Sequence, residues 1–212
     1  MLMGPPGSGK GTQAVRVAER YALRHISTGD ALRAAVKAGT PIGREVAEII
    51  AAGRLVGDEL ITTIVRQRLS AADARAGCIL DGYPRTVAQA AALDAMLDGS
   101  PLIVAHLVAD DEEIVRRLAS RRICDACTLT QSVSPDADPD REACPYCGGN
   151  LRRRPDDHPD TVRRRLATYA SFAGPLIAFY RERVTFATID GLQLPDKVTT
   201  ELCAHIDRCS PA

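Results

Sequence analysis

Nine residues near the start, Gly4-Pro5-Pro6-Gly7-Ser8-Gly9-Lys10-Gly11-Thr12, restrict the fold of this chain more than any other stretch. Glycines let a backbone curl until successive N–H groups face one point, and a concavity of that kind binds an anion. A helix opening directly after the loop brings the positive end of its dipole to the same point. The loop therefore demands a strand before it and a helix after it. In this arrangement Gly7, Ser8, Gly9 and Gly11 build the cradle and Lys10 lies along the β- and γ-phosphates of a nucleotide. Thr12 is placed to reach Mg²⁺ or a phosphate oxygen. The common pattern sets Ser or Thr directly after the lysine; here Gly11 intervenes. The competing reading is a Gly/Pro-rich turn that holds no ligand.

The rest of the chain agrees with a strand–loop–helix opening. Short apolar runs alternate with longer amphipathic stretches, the pattern of β-α-β units and a parallel sheet. Candidate strands are residues 1–3, 25–28, 78–81, 102–109 and 184–190. The fourth, LIVAHLVA, is almost wholly apolar, as expected of a strand covered by helices on both faces. Thr40-Pro41 reads as a helix N-cap with proline in the first turn. Asp110 with Glu113 has the spacing of a capping box and opens a helix to about Arg121. Asp157 with Asp160 suggests another helix start before TVRRRLATYA. The predicted architecture is α/β, with a five-stranded parallel sheet flanked by helices. Residues 1–28, 59–121 and 159–212 form its core, 29–58 a helical insertion and 122–158 a second insertion of different composition.

That second insertion holds Cys124-x2-Cys127 and Cys144-x2-Cys147, separated by sixteen residues. Four thiolates at this spacing suit a closed tetrahedral Zn²⁺ site, which would be structural for want of an open position. An Fe–S cluster and a redox dithiol are the rivals. So small a segment buries little apolar area, and metal ligation would supply the missing folding free energy. Cys78, in an apolar run, reads as a small core residue. The formal net charge of +0 gives no global field favouring nucleic acid or an acidic membrane, so an anion site must be built locally. No stretch approaches the roughly 20 apolar residues of a membrane span, and no charged leader precedes an apolar run. A cytoplasmic protein acting as a monomer is expected.

The variant GPPGSGKGTQ resembles the phosphate loop of adenylate kinases, and the likeness continues along nearly the whole chain. His25-Ile26-Ser27-Thr28-Gly29-Asp30 with Leu32-Arg33 is similar to that family's STGDxLR segment, and Leu80-Asp81-Gly82-Tyr83-Pro84-Arg85-Thr86 to its LDG[FY]PRT segment. Ser120 to Cys124 resembles the start of a zinc-bearing lid. Asp156-Asp157 followed by Thr161 to Leu166 resembles its exit. The resemblance implies phosphoryl transfer from ATP-Mg²⁺ to AMP, giving ADP. Donor ATP would meet the loop from Gly7 to Thr12, Arg117 and Arg121. Acceptor AMP would meet Thr28, Arg33, Gly82, Arg85, Gln89, Arg154, Arg165 and the backbone around Arg54, Leu55 and Val56.

These residue types suit those tasks. A guanidinium fork matches two phosphate oxygens, as Arg33 and Arg85 would require. An amide such as Gln89 can meet both the donor and the acceptor edge of adenine. Asp81 ends an apolar strand, where open α/β sheets bind ligands, and an acid there can hold the water shell of Mg²⁺, with Asp30 assisting. Phosphoryl transfer calls for positioning and charge neutralisation, hence convergent cations such as Lys10, Arg85, Arg121, Arg154 and Arg165 rather than a nucleophile. The bland alternatives are exposed helix arginines, a turn aspartate and arginines that complement a helix dipole.

Three departures from the family pattern stand out. The chain begins three residues before Gly4: either its start is mis-assigned or the first strand is short, and a short strand is expected to reduce stability rather than alter the chemistry. Thr130-Gln131-Ser132 lacks the aromatic that relatives often place there to contact the donor adenine, which predicts looser donor selectivity. The arm 132–143 is acidic and proline-rich, and no function is assigned to it. Within the same fold a UMP/CMP kinase is the alternative. From a different class, a zinc-ribbon ATPase that binds nucleic acid competes, against neutral charge and only 4% aromatic residues.

Overall fold

A computed structural model of the chain describes residues 1–127, 129–133, 143–182 and 185–210. Five strands, β1 (Leu2–Met3), β2 (Arg24–Ser27), β3 (Cys78–Asp81), β4 (Ile103–Val108) and β8 (Thr185–Asp190), form one parallel sheet in the order β2-β3-β1-β4-β8. All five lie where the apolar runs predicted them, within a residue or two at each end. Val184, the first residue of the predicted fifth strand, and residues 134–142 of the acidic arm lie outside the described residues.

The apolar runs arise because both sheet faces are covered. Successive residues of a strand point to opposite faces. Leu2, Ala105 and Leu107 thus pack with Ala14, Val17 and Ala18 of α1 (Lys10–Tyr21) and with Val198 and Leu202 of α8 (Pro195–Cys209). Met3 and Val104 face the other way, onto Ala90 of α5 (Val87–Leu97) and onto Leu176 and Tyr180 of α7 (Pro159–Arg181). Short as it is, β1 pairs on both sides, Leu2 with Asp81 and Ala105 and Met3 with His106. The ladder continues outward through the Met1 carbonyl, which accepts from Ala105 N at 3.0 Å.

Beside the sheet stand α2 (Thr28–Lys37), α3 (Pro41–Ala51) and α4 (Asp58–Leu69), the helical stretch expected of the first insertion. Thr40 caps α3 by accepting from Gly43 N, with Pro41 in the first turn, as the sequence implied. The helix α6 (Asp111–Ser120) is capped by Asp110, which accepts from Glu113 N at 2.8 Å. The Glu113 carboxylate turns instead to Arg116 and Arg117. The proposed start at Asp157 is corrected by the structure. The N-cap of α7 is His158, and Asp157 lies fully buried in the turn before it, its carboxylate taken by Arg121. An acid three residues ahead of another imitates a cap in sequence, but here the first one neutralises a guanidinium.

The second insertion is a small antiparallel sheet, order β6-β5-β7, of β5 (Arg121–Cys124), β6 (Thr130–Ser132) and β7 (Leu151–Arg152). Among the described residues no helix is long and apolar enough to cross a membrane.

Candidate functional site

The sheet order places β1 between β3 and β4, so the crevice at its carboxyl end is the position where open α/β sheets take ligands. There Met3 turns into the glycine loop. Gly4, Gly7 and Gly9 adopt φ of 143°, 85° and 96°, which L-residues with a Cβ rarely reach. Lys10, first residue of α1, donates from Nζ to the Gly4 carbonyl at 2.8 Å and the Pro5 carbonyl at 2.7 Å, so its ammonium arches over the loop. Desolvation lowers its pKa to about 8; Asp81 opposes the shift, while Arg85, Arg165 and Arg121 add to it. The Ser8 hydroxyl is buried with no partner among the described residues, a donor left over for an oxygen in the loop. Gly11 and Thr12 lie exposed in the first turn of α1.

Asp81, the last residue of β3, aligns with Leu2 on one side and Ser27 on the other. Its Oδ2 lies 3.7 Å from His25 Nε2, and it faces the start of α1, where a Cβ on Gly11 would sit 3.6 Å from that oxygen. A half-open carboxylate beside the cradle fits an Mg²⁺ that retains several waters. Asp30 is different. Its Oδ1 accepts from Arg33 Nη2 at 2.6 Å, and burial, which would raise its pKa, is outweighed by Arg33 and Ser27, so the carboxyl stays below its usual range.

Between α2, α3 and the β3–α5 loop opens a cleft of about 610 Å³, mouth included, lined by Thr28, Arg33, Arg54, Leu55, Val56, Gly82, Arg85, Gln89, Asp156 and Arg165 among others. The structure thus brings together every predicted acceptor residue except Arg154 in one wall. It is lined by Leu32, Val56 and Ile61, which belong to one apolar cluster, by a single amide, Gln89, and by the guanidinium groups of Arg33, Arg54, Arg85 and Arg165. Arg85 donates from Nε to the Gly82 carbonyl at 2.9 Å, which leaves its two terminal nitrogens for an anion. Thr28 Oγ1 donates to the Gly82 carbonyl at 3.0 Å. Arg54 is exposed at the cleft rim, and its backbone N–H donates to Ile49 O as α3 ends.

Arginines from three directions share two buried acids. Arg165 of α7 reaches Asp156 Oδ2 at 3.0 Å and its carbonyl at 3.1 Å, and Arg33 Nη1 lies 3.9 Å from the same carboxylate. Arg121 grips Asp157 with Nε at 2.7 Å and with Nη2. Burial opposes ionisation of Asp156, but Arg165, Arg33, Arg121 and Arg154 together outweigh it and hold its pKa below the ordinary value. Arg154 donates to Thr130 Oγ1 at 2.8 Å, while burial and the neighbouring Arg121 and Arg33 lower its pKa to about 10. Desolvation likewise lowers Arg85 and Arg165. A pKa pushed down in a cation marks a place where an added anion is stabilised.

Arg117 stands apart from this group. It binds Glu113 at 3.0 Å and the carbonyls of Gly191 and Leu192 at 2.7 and 3.2 Å, joining α6 to the loop between β8 and α8. Gly191 is packed tightly there: a Cβ would lie 2.6 Å from the Ser8 carbonyl of the phosphate loop.

In the second insertion the thiols of Cys124, Cys127, Cys144 and Cys147 all lie within 4.8 Å of one another. The Cys124–Cys147 and Cys127–Cys144 sulfurs are 3.4 and 3.6 Å apart, too far for disulfides. With a Zn–S bond of about 2.3 Å, a tetrahedron has S–S edges of about 3.8 Å, so a donor set whose sulfurs all lie within 4.8 Å of one another is compatible with zinc. Backbone N–H groups of Cys127, then Ala126, favour the Cys124 thiolate and lower its pKa to about 6. Gly149 is required by this packing, since a Cβ would sit 3.0 Å from Cys124 Sγ and 2.9 Å from the Ala126 Cβ. Cys78, in contrast, is half-buried in β3, where burial raises its pKa, and Cys203 is in the core.

Several contributors carry no role assigned from the sequence, although Tyr83 and His25 lie inside the motif segments. Asp58 accepts from Gln89 Nε2 at 2.6 Å and from Thr86 Oγ1 at 2.8 Å; the Tyr83 hydroxyl donates to the Gln89 carbonyl at 3.1 Å. His25 faces Asp81, and Gly191 backs the phosphate loop. Gly191 leaves a signal as a glycine directly after a strand, whereas Asp58 leaves none.

Comparison with known proteins agrees with this geometry. The family model described as adenylate kinase matches residues 2–185. An adenylate kinase of Magnetococcus marinus is 43% identical over 96% of this chain and 97% of its own length. One from Rhizobium etli is 40% identical over 98% of each, and one from Symbiobacterium thermophilum 44% over 95% of each. With a matching sheet, phosphate loop and cleft already in place, the chain belongs to the adenylate kinase family.

Proposed function

We propose that this protein transfers the γ-phosphoryl group of ATP-Mg²⁺ reversibly to AMP, giving two ADP. The observation that carries the reading is the conjunction of two sites: a glycine loop whose Lys10 ammonium feels the charges of Arg85, Arg165 and Arg121, and a cleft lined by Arg33, Arg85 and Arg165, by apolar side chains and by one amide. ATP would lie with its phosphates in the loop, and Arg117 and Arg121 on its donor side. AMP would lie in the cleft with its phosphate on Arg33, Arg85 and Arg165 and its base near Thr28, Val56 and Gln89. Arg121, Arg154 and Arg165 would neutralise the transferring group. Asp81, with Asp30 less directly placed, would hold the water shell of Mg²⁺, which supplies charge neutralisation on the phosphates. Zinc would be structural, replacing a hydrophobic core in the lid at residues 122–158, while 29–58 would bind the acceptor. The protein is proposed to act in the cytoplasm as a monomer, without nucleic acid or membrane.

The test is a coupled assay of ADP from ATP with AMP, CMP, UMP or GMP, with and without Mg²⁺. Turnover with AMP that needs Mg²⁺ is expected. Preference for CMP or UMP over AMP would replace the acceptor assignment, and salt-dependent binding of single-stranded nucleic acid without AMP turnover would replace the class.

A further inference from the structure

The structure assigns Asp58 a positioning role: it fixes which way round the Gln89 carboxamide faces the acceptor base, so that the cleft takes a 6-amino purine and rejects a 6-oxo purine. This rests on the reading above that the cleft holds the base of a nucleoside monophosphate.

A carboxamide carries two donor hydrogens and two acceptor lone pairs, and in a cavity either end can be turned toward a ligand. Gln89 is only 2% exposed, and each end of its amide is engaged. Its Oε1 accepts from the Arg85 backbone N–H at 2.7 Å, and its Nε2 donates to Asp58 Oδ1 at 2.6 Å. A backbone N–H can only donate and a carboxylate can only accept. The two partners therefore dictate the hand of the amide. Asp58 is itself held, since Thr86 Oγ1 donates to Oδ2 at 2.8 Å and the same hydroxyl accepts from Gln89 N at 3.1 Å. Its position in the first turn of α4 adds the favourable end of a helix dipole.

One N–H and one lone pair of Gln89 remain, side by side. They complement an edge that presents a ring-nitrogen acceptor beside an amino donor, as adenine does. A 6-oxo purine presents a carbonyl and a ring N–H in those places and needs the amide turned over. Turned, Oε1 would face the Asp58 carboxylate and the Nε2 hydrogens would face the Arg85 N–H. Two like-to-like contacts in a buried place are costly. Asp58 thus acts through Gln89 without touching the base.

The experiment compares kcat/KM for AMP and for IMP, with ATP as donor, in wild type and Asp58→Asn. The asparagine side chain of that variant can either accept from or donate to Gln89, so only the Arg85 N–H still opposes the turned amide. The AMP-over-IMP ratio is expected to fall about tenfold, the equivalent of about 1.4 kcal/mol of discrimination. A role confined to tying α4 to α5 would change both substrates in parallel, and an unchanged ratio overturns the assignment. Asp58→Ser, which removes the carboxylate with a smaller side chain, reads the same ratio if the Asp58→Asn variant does not fold. Wild-type turnover with AMP is measured in the same series. Its absence would sink the functional reading, whereas normal turnover with an unaltered ratio would sink only the role of Asp58.

Discussion

The sheet domain and the cysteine-bearing insertion solve the same problem by different means. The sheet is covered on both faces by apolar clusters: Leu2, Val17, Leu107 and Leu202 on one side, Val104, Leu176 and Tyr180 on the other. Burial of such side chains contributes roughly 1.5–3 kcal/mol each, enough to offset chain ordering over many residues. The insertion has one small cluster of Cys124, Val133, Cys144 and Leu151, in which two of the four buried members are thiols. What it lacks in apolar area it can recover through four metal–sulfur bonds. Folding of the insertion is therefore expected to be separable from folding of the sheet.

The separation can be tested, beginning with the largest effect. Lys10→Ala or Arg85→Ala is expected to lower turnover by roughly 10²–10³-fold, the scale of losing one donor from a charge-stabilising site. Circular dichroism should be unchanged, because both side chains stand at the crevice and not in the apolar clusters. Unaltered activity in either variant would remove the sheet domain from the chemistry. Next, elemental analysis should find bound zinc. Its removal by a chelator, or Cys124→Ser, should cost activity tenfold or more while most of the sheet's amide protection survives. If the variant loses ~3 kcal/mol, its Tm falls by about 6–12 °C for a chain of this size. Collapse of protection throughout the molecule would show that the two regions do not fold separately.

A third test is pH. Lys10 has a pKa lowered to about 8, whereas phosphates favour its charged form. Above that pH, binding ATP must take up a proton, so affinity is expected to fall as pH rises through about 8, by at most tenfold per unit. Calorimetry in two buffers would reveal the proton, and Cys124→Ser should leave the inflection in place. The smallest effect is expected from Gly191→Ala. Its Cβ would press on the Ser8 carbonyl from 2.6 Å, so KM for ATP should rise roughly threefold, with KM for AMP little changed. An equal rise for both substrates would mean that the strain spreads beyond the phosphate loop.

The same contrast governs what could be read from the sequence. The sheet was legible above all through β4, which is buried on both faces and so nearly continuously apolar, and the cysteine cluster because ligand spacing leaves a regular mark. The glycine loop was legible through its backbone requirement. Asp58 was not: an acid in the first turn of a helix is already explained by the dipole, so nothing in sequence points to Gln89, thirty-one positions on. Asp157 misled for a related reason, since capping and charge pairing use the same residue types. Local rules were satisfied by neighbours in sequence while the structure gave those acids to partners distant in the chain.

One element fixes a length scale for everything else. The helix α7 runs 23 residues without a break, about 35 Å of helical rise, with Pro175 inside it. Near its start it carries Arg165, and Leu166 beds against Ile114 and Leu118; near its end Leu176 and Tyr180 are sunk beside Met3, at the root of the phosphate loop. The guanidinium and the cradle are therefore mounted on one beam. The spacing between Arg165 and the phosphate loop is thus set through α7, whereas Arg33 and Arg154 take their places from how the flanking segments are seated.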